Sequence, residues 1–150
     1  MIKKALFIIL LVQSTEQIQA QRFWGLGPFV TMQGLFKIFQ DGIVRQLEHL
    51  PPLELQIGDN IIGFISNNRD LRVYDGKKVT TLSGLVSNFQ VSDNFIALQN
   101  GPILSVWHAG KGQWLTNFGR RYVVTDSLLV FEDTQMNSVQ VWYKNSVQDL

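Results

Sequence analysis

Residues 58–82 read GDNIIGFISNNRDLRVYDGKKVTTL, and the pattern returns at 92–115 as SDNFIALQNGPILSVWHAGKGQWL. Each stretch opens on a small residue and an aspartate, passes through an unbroken apolar run, turns, and then alternates. A run that is apolar at every position fits a strand covered on both faces. The alternation of Leu71 and Val73 with Arg72 and Tyr74 fits a strand whose two faces differ. Because a large aromatic recurs on the more polar of those faces, that face must be partly buried as well.

Outward from these two stretches, four segments share one frame: GLFKIFQDGIVRQL, RDLRVYDGKKVTTL, PILSVWHAGKGQWL and NSVQVWYKNSVQDL. An aromatic (Phe39, Tyr74, Trp107, Trp142) is followed eight residues later by leucine (Leu47, Leu82, Leu115, Leu150). One position before each aromatic stands Ile38, Val73, Val106 or Val141, and three before stands Phe36, Leu71, Leu104 or Val139. Between aromatic and leucine lie DG, DG, AGKG and KN, residue types that supply the positive φ of tight hairpins. The constant spacing there predicts a hairpin of fixed register, whereas the aspartate-to-aromatic distance varies and marks a tolerant loop.

Asp59, Asp93 and Asp126 form a further column, each preceded by Gly58, Ser92 or Thr125. They are read as turn formers that bond local backbone amides, in preference to a ring of ligands. A fourth strand, ending at Ile57, Val91 or Val124, is expected to follow each leucine through a linker such as EHLPPLEL. The first copy has Trp24 where the aspartate would fall, and a strand over 23–30 is expected to supply a missing outer strand.

The predicted fold is all-β: four diverged antiparallel units of about 34 residues, stacked as β-propeller blades. The units are placed at approximately 21–55, 56–89, 90–122 and 123–150. Two arrangements stay open, a closed four-blade ring and the N-terminal part of a larger array with an exposed edge.

With those columns set out, the chain resembles a group of uncharacterised bacterial exported proteins that carry tandem propeller-like repeats. The resemblance rests on residues 58–82 and 92–115 and extends over roughly 29–150. It implies longer chains with more repeats, and it implies an architecture without implying an activity. WD-type repeats are not a match, since no Gly-His and Trp-Asp pair recurs.

The first twenty residues stand apart. Lys3 and Lys4 precede the apolar run Ala5–Val12, and a polar stretch then leads to Ala20, the layout of a cleaved signal peptide. Eight apolar residues are too few to span a bilayer, which takes about 20. Residues 21–150 are therefore expected to form an exported domain, periplasmic or extracellular, with no membrane span after cleavage. That segment is formally neutral, with eleven basic and eleven acidic residues. It has no charge run that would suit nucleic acid. The chain has no cysteine, which excludes disulfide staples and thiolate metal sites.

No cofactor or metal is expected. His49 and His108 lie apart in sequence, and no Gly-x-Ser-x-Gly elbow occurs. Glu132 and Asp133, with Asn137 nearby, form an acidic loop that needs no calcium to explain it. Trp107 and Trp142 belong to the repeat's aromatic column and are assigned to packing. Trp114 and Tyr143 fall outside it and are the candidate binding residues, suited to stacking on a sugar face. These readings favour a non-enzymatic binding or scaffold module for a protein or glycan. The alternatives are a hydrolase or lyase at a central channel, and an assembly role through an open C-terminal edge that pairs with another copy.

Overall fold

The computed structural model describes residues 25–150. The expected signal peptide, its cleavage point at Ala20 and Trp24 lie outside the described residues. Among those described, no helix is long and apolar enough to cross a membrane.

The chain forms four antiparallel sheets, each a meander of strands consecutive in sequence. Sheet 1 holds β1 (Gly27–Val30), β2 (Phe36–Gln40) and β3 (Ile43–Glu48). Sheet 2 holds β4 (Glu54–Ile57), β5 (Ile62–Ile65), β6 (Leu71–Tyr74) and β7 (Val79–Ser83). Sheet 3 holds β8 (Asn88–Val91), β9 (Phe95–Asn100), β10 (Ile103–His108) and β11 (Lys111–Thr116). Sheet 4 holds β12 (Gly119–Val124), β13 (Leu128–Asp133), β14 (Ser138–Tyr143) and β15 (Ser146–Asp149). All-β architecture in sheets of three or four strands is what propeller blades require.

Two sequence expectations are corrected. The strand ending at Ile57, Val91 or Val124 does not close its own unit. It pairs with the apolar strand that follows, Ile57 opposite Ile62 and Val91 opposite Ile96, and so opens the next sheet. The linker before it contains the sheet boundary. Likewise β1 pairs with β2, Val30 opposite Phe36, as Ile65 pairs with Leu71. It therefore takes the second-strand place and not that of a missing outer strand.

The hairpin register is constant. Each aromatic pairs with the residue five ahead: Phe39 with Val44, Tyr74 with Val79, Trp107 with Gly112, Trp142 with Val147. Positive φ at Asp41, Gly42, Ala109, Gly110, Lys144 and Asn145 makes three of these turns tight. The leucine column has a cause invisible in the alternation. Phe36 pairs with Glu48 but Lys37 with Gln46, leaving Leu47 as the extra residue of a β-bulge. The same shift leaves Leu82 and Leu115 as extra residues in sheets 2 and 3. A bulge re-aims its side chain, and here it sends leucine to the face of the preceding aliphatic columns.

The core is three apolar clusters, one between each pair of consecutive sheets. Phe36 and Ile38 of sheet 1 meet Ile62, Phe64 and Tyr74 of sheet 2. Leu71 and Val73 of sheet 2 meet Phe89, Ile96 and Trp107 of sheet 3. Leu104, Val106 and Leu115 of sheet 3 meet Leu129, Phe131 and Trp142 of sheet 4. Each sheet thus turns its aliphatic columns towards the next sheet and its aromatic column towards the previous one. At Gly63 a Cβ would lie 2.7 Å from Val91 Cγ2, so sheets 2 and 3 approach closely there and glycine leaves the room.

Candidate functional site

The tight hairpins and the aspartate turns gather at one end of the stack. The turn after β4 lies against the turn after β8. The Asp59 amide donates to Asp93 Oδ1 at 3.2 Å, and Asn60 Nδ2 donates to Asn94 Oδ1 at 2.8 Å. Partners one repeat apart thus bond to each other. Within the turns, Ser92 Oγ accepts from the amides of Asn94 and Phe95, and Thr125 Oγ accepts from that of Leu128. Ser92 and Thr125 therefore supply the local caps of their turns, while the Asp93 carboxylate reaches the neighbouring turn.

Glutamines add a second set of bonds between sheets. Gln56 donates Nε2 to the Phe89 carbonyl at 2.9 Å and accepts from the Val91 amide at 3.1 Å. Its amide thereby occupies the ladder edge of β8. Gln90, 34 residues on, accepts from the Val124 amide in the same way. Gln40 Oε1 accepts the Tyr74 hydroxyl and Gln113 Oε1 accepts from Trp142 Nε1, satisfying the polar atoms of two column aromatics. Sequence reading passed over these glutamines. The recurrence of Gln56 at Gln90 was the available signal.

Two clefts open between sheets at this end. The first, of about 320 Å³, lies between sheets 1 and 2 and is lined by Asp41, Asp59, Asp75, Gln40 and Asn60. The second, of about 430 Å³, lies between sheets 2 and 3 and includes Asn60, Asn94, Lys77, Lys78 and Trp107. Asp75 stands at the junction of both. Its Oδ1 accepts from the amides of Lys77 and Lys78, each at 2.9 Å. Burial alone would raise its pKa, but the Lys78 and Lys77 amides hold it below the usual carboxylate value. The carboxylate is therefore fixed in place and charged at neutral pH. Asp41, Asp59 and Asp75 give the first cleft a negative lining suited to cationic or hydrogen-bond-donating groups.

The sequence-predicted binding residues sit elsewhere. Trp114, on β11, is 60 % exposed and donates Nε1 to Asn117 Oδ1 at 3.0 Å. Tyr143, on β14, is 45 % exposed, with the Lys144 ammonium 5.0 Å from its ring centroid. They belong to different sheets. Asp126 follows Thr125 in the last aspartate turn.

His108 Nδ1 pairs with Asn145 Oδ1 at 3.1 Å and its ring meets Trp142 edge-on, so it ties two hairpin tips together. His49 pairs with Gln46. In the acidic loop, Asp133 accepts from the Gln135 and Met136 amides and from the Thr116 hydroxyl. Those donors account for its carboxylate without an ion. Among the described residues no three His, Cys, Asp or Glu side chains cluster in a way that suits a metal.

The sequence matches the family model of the 10-bladed beta propeller domain over residues 19–150. No curated protein matches it. Among solved structures the chain is similar to the N-terminal domain of Nup159, with 13 % identity over 85 % of this chain and 43 % of that one, at TM-score 0.48. It is similar to the computationally designed Ika8 protein at 17 % identity, covering 84 % of this chain and 45 % of that one, TM-score 0.43. For the designed Ika4 protein the identity is 20 %, over 80 % of this chain and 89 % of that one, TM-score 0.41. The chain spans under half the length of the Nup159 domain it matches.

Proposed function

This chain belongs to the 10-bladed beta propeller domain family, and from that premise we propose that it is a non-enzymatic binding module. The ligand, a protein or a glycan, is held at the hairpin end. The observation that carries this reading is the first cleft, where three carboxylates from two sheets line one space. The sheets beneath are tied by apolar clusters and glutamine bonds, so the rim is rigid and its residues are free to serve recognition. A ligand presenting ammonium or guanidinium groups, or sugar hydroxyls, suits that lining.

Glycan-array and pulldown screening of residues 21–150 tests the reading. Asp41→Ala paired with Asp75→Ala should abolish the strongest signal, while Trp114→Ala should leave it. Retention of binding in the double variant would move the site elsewhere, and no ligand on either screen would sink the proposal.

The same reading includes export. Lys3 and Lys4, the apolar run and Ala20 support a cleaved signal peptide, and the family match begins only at residue 19. The intact mass of the exported chain should correspond to a start at Gln21. The four sheets are then consecutive blades of a larger array and not a closed four-blade ring, a view supported by the exposure of Phe39 on sheet 1 and Val139 on sheet 4 among the described residues.

A further inference from the structure

The four copies of the aromatic column have unequal surroundings. Tyr74, Trp107 and Trp142 are at most 5 % exposed, each covered by the preceding sheet, whereas Phe39 is 48 % exposed. Phe29 shares that face. Of its counterparts, Phe64 and Phe131 are fully buried and Leu98 is half-buried, while Phe29 is 39 % exposed. At the other end of the stack the aliphatic columns are less covered, Val130 and Val141 being half-buried. Val139 is 40 % exposed, though its counterparts Phe36, Leu71 and Leu104 are at most 1 % exposed. Sheet 1 therefore displays one half of the interface that joins every pair of consecutive sheets, and sheet 4 displays the other half.

The two end faces also fit each other in size. Inside the stack a small residue on one sheet faces a large one on the next: Gly63 lies against Ile96, and Ala97 lies in one cluster with Leu129. In the same columns sheet 4 has Val130, opposite Val141, and sheet 1 has Gly27, opposite Phe39. The large and small partners have exchanged places, so the valine finds room where the internal interfaces have none. Phe39 carries no polar atom, so it needs no counterpart of the Gln40 or Gln113 acceptors.

We propose that the aromatic face of sheet 1 in one molecule packs on the aliphatic face of sheet 4 in a second copy of this chain, continuing the stack between molecules. Phe29 and Phe39 are the anchors on one side, and Val130, Val139 and Val141 receive them on the other. The contact is head-to-tail, so it builds rings or open chains and not two-fold dimers. It rests on the array reading above and is independent of the ligand-binding one.

The test uses the full chain without its signal peptide, in light scattering and mass photometry over a range of concentrations. Wild type should grow into oligomers larger than dimers. Phe39→Asp and Val139→Asp should each be monomeric while keeping wild-type circular dichroism, and their equimolar mixture should give dimers, since one intact interface remains. A gentler pair keeps the test decisive if a charged variant misfolds. Gly27→Leu has room within its own sheet, its new Cβ meeting Phe39 at 3.5 Å or more. It should nonetheless weaken association by at least about tenfold, and Val130→Ala added to it should restore association by recreating the Ala97–Leu129 pairing. A monomeric wild type overturns the proposal. Phe39→Cys, a unique thiol in this cysteine-free chain, then separates the two ways of failing. Rapid maleimide labelling leaves the array reading standing, whereas protection means the chain closes on itself and removes both.

Discussion

Thr116 donates its hydroxyl to Asp133 at 2.5 Å, joining the last strand of sheet 3 to a carboxylate buried at the end of β13. The other carboxylate oxygen accepts from the Gln135 and Met136 amides, each at 2.9 Å. One acidic side chain thus holds both the β13–β14 loop and the neighbouring sheet. The Thr116 hydroxyl and the Met136 and Gln135 amides outweigh burial and keep its pKa below the usual value. A lowered folded-state pKa means that the stabilisation is complete above the unfolded value of about 3.9 and fades as pH falls through the folded one. Asp133→Ala should lower stability by about 1–3 kcal/mol at neutral pH. It should also flatten the loss of stability below about pH 4, both read from urea midpoints across pH. An unchanged acid limb would show that this carboxylate is not what the acid attacks.

Gln56 should matter more than a partly exposed strand glutamine usually does. Gln56→Leu leaves the Phe89 carbonyl and the Val91 amide without their partner, at a cost of about 1–3 kcal/mol. Amide exchange at Val91 should accelerate selectively. Equal acceleration throughout sheet 3 would instead mean that the whole sheet has loosened.

Two glycines should differ in their tolerance of alanine. A Cβ on Gly58 would lie 2.0 Å from the Ser92 carbonyl oxygen, which is backbone, whereas at Gly63 the obstacles are side-chain tips. Gly63→Ala should cost about 1–3 kcal/mol, the usual range for overpacking. Gly58→Ala should cost more, because a turn must move. Comparing their denaturation midpoints checks the order.

Tyr122 has a buried hydroxyl with no hydrogen-bond partner among the described residues. Burial, with a smaller contribution from the Glu54 charge, pushes its pKa up to about 12. Tyr122→Phe should therefore be neutral or slightly stabilising, in contrast to the usual penalty for losing a bonded tyrosine. In an ultraviolet titration a tyrosine step near pH 12 should be present in wild type and vanish in the variant.

The columns Phe39–Trp142 and Leu47–Leu150 were legible because packing between consecutive sheets repeats one demand along the chain, although Phe39 and Leu150 at its two ends are 48 % and 81 % exposed. Which strand pairs with which sheet was not legible. The segment before Asp59 looks alike whether it closes one unit or opens the next, and only the Ile57–Ile62 ladder decides. The bulge at Leu47 was hidden for a related reason, since a ladder shift exists between strands and not along one. Asp93 was read within its own turn, where its residue type makes sense. Its bond to Asp59 needs two turns set side by side by the stack. Gln56 escaped because a glutamine in an edge strand reads as solvated. The acidic cleft escaped because its three carboxylates come from separate hairpins and turns.

Each sheet is a meander of consecutive strands, and each sheet packs on its sequence neighbour. Backbone pairing therefore never has to wait for distant parts of the chain to meet. Assembly of such a chain starts in any hairpin and spreads outward, the kinetic regime of local topologies. A strongly destabilising lesion at one junction, such as Trp107→Ala, would then divide the molecule into two units that melt separately.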